Sequence, residues 1–252
     1  MIDNLSSVFM GLPIYFKGNS YVYPPKVKDT ANRDFEKYIT ILTMSEDDVK
    51  DIFKEEPLKE YPSPYKIMYK NFVMDAQLRN LTLSAFEFFL HEPVTFIADK
   101  GIIILGDLET LLKQGKKIDE IFYIEEKDYP RFQNLIRVAV GIEEEEIEEV
   151  DPNEDPRVTE LKKKFKESKK TVAKIKQKRG DSLKFYDCLV AICCMQLGIN
   201  PLNIGELSYS AISPLMNKFQ SKEAYDISSM GAMMGTIDTK KNTIEYWIGN
   251  SK

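Results

Sequence analysis

EEEEIEEVDPNED, residues 143–155, is followed almost at once by RVTELKKKFKESKKTVAKIKQKR, residues 157–179. The first stretch carries nine carboxylates and no basic residue; the second carries eleven Lys/Arg against two Glu. The 252-residue chain has a net charge of only −5, so the two blocks nearly cancel in the total. Runs of like charge cannot supply a buried core. They therefore divide the chain into an upstream half (1–142), an acidic linker (143–156), and a downstream half (157–252) that opens on the basic segment. Polarised tracts between two apolar halves point to a protein that handles other macromolecules.

Working upstream, PIYF (13–16), Lys17-Gly18-Asn19-Ser20 and YVYP (21–24) form a hairpin pattern, closed by Pro24-Pro25 because proline cannot donate to a strand ladder. The first forty residues read as short β structure, with a short helix over 33–43. Ser45 caps a helix whose apolar face is Val49, Ile52 and Phe53, and Asp48 completes a capping box. Ser63-Pro64 starts another, with Ile67, Met68 and Phe72 inward. Leu81 to His91 continues helical. VTFIADKGIIIL (94–105) is a second hairpin around Asp99-Lys100-Gly101. Asp107 caps a short helix ending at Gly115. Asp128-Tyr129-Pro130 opens a helix through Val140, with Phe132, Leu135, Ile136 and Ala139 inward and Gly141 as its stop.

Downstream the pattern is helical. Asp155-Pro156 opens the basic segment. Asp181 or Ser182 starts a helix carrying Phe185, Leu189, Ile192, Cys193 and Leu197, closed by Gly198. Ser208 begins another, with Pro214 as a kink or restart, and Ser221-Lys222-Glu223 opens one more toward Gly231 and Gly235. TIEYWI (243–248) is a short strand or docking tail. The fold class is α+β, predominantly helical: small β-hairpins and helices in the N-terminal half, helices alone in the C-terminal half.

Within the basic segment the apolar residues Val158, Leu161, Phe165, Val172 and Ile175 keep heptad spacing, with Ser168 in register between them. Lysines cover nearly every other face. The segment admits three readings: a helix packing its seam inside its own domain, a partner-binding or self-associating coiled coil, and a phosphate-neutralising face for nucleic acid. The scarcity of arginine, the single aromatic Phe165 and the neighbouring carboxylates weigh against the last, since base reading and stacking use more of both residue types. The five seam residues are the candidate partner-binding residues.

Chemistry is thin elsewhere. The acidic block has neither the glycine nor the alternation of a calcium loop, and one histidine, His91, excludes His-rich zinc sites and HExxH. No GxSxG elbow, no GxxxxGK[ST] and no GxGxxG after a strand is present. Cys188, Cys193 and Cys194 lie within seven residues of each other, an odd set that suits a reducing compartment better than a disulfide framework. The chain is expected to be no enzyme, with no catalytic, cofactor-binding or metal-binding residues and no cofactor. No run approaches the length of a membrane span, and the first residues lack the charged and apolar regions of a signal peptide, so neither is expected. Met230, Met233 and Met234 form an apolar cluster for which core packing is the expectation and an adaptable partner surface the alternative.

The order of PIYFKGNSYVYPPKVKD (13–29), PSPYKIM (62–68), DSLKFYDCLVAI (181–192), LNIGELSYSAISPLMNKFQ (202–220), EAYDISSMGAMMG (223–235) and IEYWI (244–248) resembles tail assembly chaperones of tailed bacteriophages infecting Gram-positive bacteria. The resemblance implies a non-catalytic, mainly helical protein of the host bacterial cytoplasm. It would bind the tape-measure protein, keep its helices soluble and recruit tail-tube subunits; self-association is open, nucleic acid is not the expected partner, and no membrane is involved. Relatives are often made in short and frameshifted long forms. The N-terminal half is large for such a chaperone, which leaves open a structural tail component. A phage morphogenesis or regulatory protein that binds nucleic acid through 157–179 is the alternative.

Overall fold

A computed structural model describes residues 4–54, 60–97, 99–113, 121–142, 184–195 and 198–236. Its chain forms two compact units, Met1–Glu143 with Pro201–Leu215, and Glu144–Asn200 with Met216–Lys252. The fold is α+β and predominantly helical, with small antiparallel sheets confined to the N-terminal half and helices toward the C-terminus.

In the first unit, α1 (Asn4–Phe9) precedes a hairpin of β1 (Ile14–Lys17) and β2 (Ser20–Val22), then α2 (Phe35–Thr43), α3 (Glu46–Ile52), α4 (Pro64–Met74) and α5 (Ala76–Leu90). A second sheet, ordered β3 (Val94–Ile97), β4 (Ile102–Leu105), β5 (Tyr123–Ile124), is antiparallel throughout and is interrupted by α6 (Leu108–Lys113) before α7 (Tyr129–Ala139). Local chemistry places these boundaries. The Ser45 hydroxyl accepts from the Asp48 N–H at 3.1 Å while the Asp48 carboxylate accepts from the Ser45 N–H at 2.7 Å, a complete capping box. The Asp75 carboxylate accepts from the N–H groups of Gln77 and Leu78, allowing α5 to start directly after α4. Gly18 holds the first hairpin turn at φ +62°, where a Cβ would fall 2.3 Å from the Phe122 ring.

The core is aromatic. Phe132 on α7 stacks on Phe86 of α5 (5.0 Å, 11°) and meets Phe16 of β1 at 5.2 Å, joining the hairpin to two helices, and all three are essentially buried. Tyr65 of α4 packs edge-on against Tyr129 at 5.1 Å. Alternation along β1 and β2 sends Ile14, Phe16 and Val22 inward and leaves Tyr15 and Tyr21 outside as an edge-to-face pair.

Pro201–Leu215 straps this unit. The Val27 N–H donates to the Leu207 carbonyl (2.9 Å) and the Tyr209 N–H to the Pro25 carbonyl (2.8 Å), closing an antiparallel bridge between Lys26 and Ser208. The Tyr209 ring meets Phe35 at 5.3 Å, and Ile204, Ala211 and Ile212 are buried. Gly141, at φ +72°, lies so close that a Cβ there would be 3.2 Å from the Ser210 Cα.

Of the second unit, α8 (Phe185–Cys194) and α9 (Ile212–Met233) from Met216 onward are described, and among them only Ile192 and Met216 are buried hydrophobics.

Several expectations are corrected. The first residues form α1, not β structure alone. Ile52 is exposed and Val49 alone of its trio is buried. Tyr65 takes the inward position read for Ile67. Asp128 stands at the start of α7 without capping it; its carboxylate instead accepts from Lys17 Nζ (2.8 Å) and the Glu125 N–H (3.3 Å). Pro214 falls in the first turn of α9, where its missing N–H costs nothing, and the helix passes through Ser221 unbroken. The linker 143–156, Asp155-Pro156, Asp181, Ser182, Leu197 and TIEYWI lie outside the described residues.

Candidate functional site

The seam residues Val158, Leu161, Phe165, Val172 and Ile175 also lie outside the described residues. The groups that could carry chemistry elsewhere have structural assignments. His91 closes α5 in the left-handed region (φ 53°), its N–H donating to the Glu87 carbonyl at 2.9 Å. Its ring stacks on Tyr23 at 4.2 Å and 13°. This is a helix stop reinforced by an aromatic contact, a role usually given to glycine. Cys188, Cys193 and Cys194 are free thiols, and no group of three or more His, Cys, Asp or Glu with metal-holding geometry occurs among the described residues.

An open cleft of about 460 Å³ lies between α4 and the turn of the second hairpin, lined by Tyr65, Tyr69, Lys66, Lys100 and Glu126 among others. Its charges are largely engaged with each other: Lys66 faces Glu126 at 3.5 Å, and the Ser63 hydroxyl donates to the same carboxylate at 2.6 Å. Tyr65 donates to the Gly101 carbonyl at 2.6 Å, and burial, then the nearby Glu126, pushes its hydroxyl up to about 12. A hydroxyl so held is a structural donor, unsuited to proton transfer near neutral pH.

What stands unassigned is apolar surface on α9. Ile227 (65% exposed), Met230 (61%) and Met234 (77%) fall at i, i+3 and i+7, which puts them on one helical face, with Met233 (85%) at its edge. Gly235, at φ +71°, ends the run just beyond Met234, whose N–H donates to the Met230 carbonyl at 2.9 Å. The sequence marks this cluster, but its expected core packing is overturned. Hydropathy cannot distinguish a methionine destined for a core from one on a surface, and Met68, 4% exposed in α4, is the counterexample within this chain. On α8, Tyr186 and Val190 are also exposed, one turn apart. Unbranched thioether side chains adapt to irregular partners, so a methionine-rich helical face suits protein contacts better than a shaped small-molecule site.

Residues 174–252 match the family model described as the YomV second domain, a phage-derived family, and so include α8, the strap and all of α9. No curated protein and no solved structure matches the chain. No described helix is long and apolar enough to cross a membrane.

Proposed function

We propose that this chain is a non-catalytic phage tail assembly protein, a chaperone that binds the tape-measure protein and recruits tail-tube subunits. The observation that carries the reading is the exposed strip Ile227, Met230, Met233 and Met234 on α9, within the stretch similar to a phage-derived domain. An adaptable apolar face matches the need to shield varied apolar faces of a long helical protein. The heptad spacing of Val158, Leu161, Phe165, Val172 and Ile175 in the sequence supports a second contact of the same kind.

Co-expression with segments of the cognate tape-measure protein tests the assignment. The chain is expected to keep those segments soluble and to co-purify with them. Asp at both Met230 and Met234 should abolish co-purification without altering the circular dichroism spectrum, because both side chains are exposed. Asp at Leu161 and Phe165 tests the seam, where global unfolding would identify intramolecular core. Failure to co-purify with any segment, combined with a salt-sensitive gel shift lost on Lys-to-Glu changes at 162–164, would replace the reading with nucleic-acid binding.

A further inference from the structure

A groove of about 590 Å³ runs between α2 and α3, walled by Ile39, Thr43, Met44 and Ile52, with Asp48 and Asp51 at its rim. Its apolar wall is incomplete: α3 buries only Val49, and Ile52 is left 58% exposed although its spacing with Val49 belongs to an inward face. The frame is fixed from behind. Arg137 donates to the Thr43 carbonyl and Gln133 to the Met44 carbonyl, each at 2.9 Å, and the Ser45–Asp48 capping box locks the start of α3. A preformed groove loses little entropy when it is filled.

Of the two carboxylates at the rim, Asp48 serves the capping box, whereas Asp51 has no such role. Glu46, Asp47 and Asp48 occupy the first turn of α3, where carboxylates complement the helix dipole. Asp51 occupies the last turn, where a carboxylate faces the negative end and is unfavourable. Asp47 is taken by Lys50 at 3.2 Å and Asp48 by Ser45, whereas Asp51 is exposed and has no ion-pair partner among the described residues. An apolar slot beside a carboxylate with no ion-pair partner among the described residues is complementary to an apolar side chain carried next to a cation.

We propose that the α2–α3 groove docks a basic amphipathic segment of a partner protein. One aliphatic side chain seats against Ile39, Met44 and Ile52, and a neighbouring lysine or arginine faces Asp51. None of its residues belongs to the α9 strip, and the proposal stands whether or not the tail-assembly reading holds. Nucleic acid and anionic lipid are disfavoured by the same acidic rim.

The test uses the full chain and a fluorescent helical peptide of leucine and lysine at amphipathic spacing, followed by anisotropy. Saturable binding is expected, weakened about tenfold by Asp51→Lys and by Ile52→Asp, with the folded circular dichroism spectrum retained in both and the thermal midpoint not lowered by Asp51→Lys, which puts a cation at the negative end of α3. A leucine–glutamate peptide should not bind, and a serine–lysine peptide should bind about tenfold more weakly. Asp replacing both Met230 and Met234 should leave the affinity unchanged. Absence of binding overturns the proposal, as does equal binding of the serine–lysine peptide, insensitivity to Asp51→Lys and Ile52→Asp, or loss of binding in the methionine variant.

Discussion

Met68 and Met233 are the same side chain put to opposite uses. On α4 Met68 is enclosed in a cluster that includes Phe16, Tyr65, Phe86 and Phe132; on α9 Met233 faces outward beside Ile227, Met230 and Met234. The contrast extends to the units around them. In the first, three secondary-structure elements converge on Phe132 alone, and even the strap contributes Tyr209 to the core edge. In the described helices of the second, Ile192 and Met216 are the buried hydrophobics. The first region uses its apolar side chains for its own stability, while the described part of α9 leaves Ile227, Met230, Met233 and Met234 exposed. Stability should therefore respond to changes in the first and association to changes in the second.

The strongest break in that contrast comes from truncating a large apolar side chain on each side. Phe132→Ala removes a ring shared by β1, α5 and α7 and should destabilise by about 3–5 kcal/mol in chemical denaturation. Met233→Ala should shift stability by no more than about 0.5 kcal/mol. Equal losses would show that the α9 strip is core.

The strap is next. Tyr209→Ala deletes the contact with Phe35 while leaving the backbone bridge to Pro25, and a cost of about 1–3 kcal/mol is expected in thermal or chemical denaturation. Hydrogen exchange at the Val27 amide, which donates to Leu207, should accelerate more than exchange in α5. A uniform acceleration would mean that the strap and the core open together.

Gly141→Ala tests the same junction from the other side. An alanine would be strained at φ +72°, and its Cβ would press on the Ser210 backbone, so about 1–3 kcal/mol should be lost. Ser210→Gly in the same chain removes the nearest contact, the Ser210 Cβ at 3.1 Å, but leaves the Cα at 3.2 Å and the positive φ, so the loss should be relieved only in part. Full rescue would mean that the cost is the side-chain contact alone.

These positions show which parts of the molecule were readable in sequence. Ser45, Ser63 and the two hairpins act through neighbours a few residues away, and such local signals survive in a linear reading; Gly18 and Gly141 were legible as a turn and a helix stop, but their close contacts with Phe122 and Ser210 were not. α1 and β5 carried no such signal, being short elements whose conformation is settled by packing. The strap was unreadable for a different reason. Its pairing joins Lys26 to Ser208 across most of the chain, and nothing near either residue announces the other. The α9 strip was visible as a methionine cluster, but its exposure depends on which partners the fold supplies. His91 was legible as a helix end, whereas its stacking on Tyr23 was not.

The smallest effect concerns Glu206, which fixes the strap electrostatically. Hydrogen bonds from Lys26 and Lys28, both at 2.7 Å, draw its carboxyl down from 4.5 to about 2. A carboxyl depressed in the folded state contributes stability that is complete above 4.5 and disappears as pH falls toward 2. The Lys28 ammonium is raised above its ordinary 10.5, chiefly by its hydrogen bond to Glu206, so its share is present below 10.5 and fades as pH rises beyond it. All three side chains are solvent-exposed, so added salt should screen the interaction and the stability change should be slight. The carboxyl carbon of Glu206, followed by NMR, should titrate well below an ordinary glutamate at low ionic strength and move upward with salt. Lys26→Ala should move it upward as well, with Lys28→Ala adding to the change. Titration at 4.5 in the unmodified chain would mean that the strap is held by Tyr209 and its backbone bridge alone.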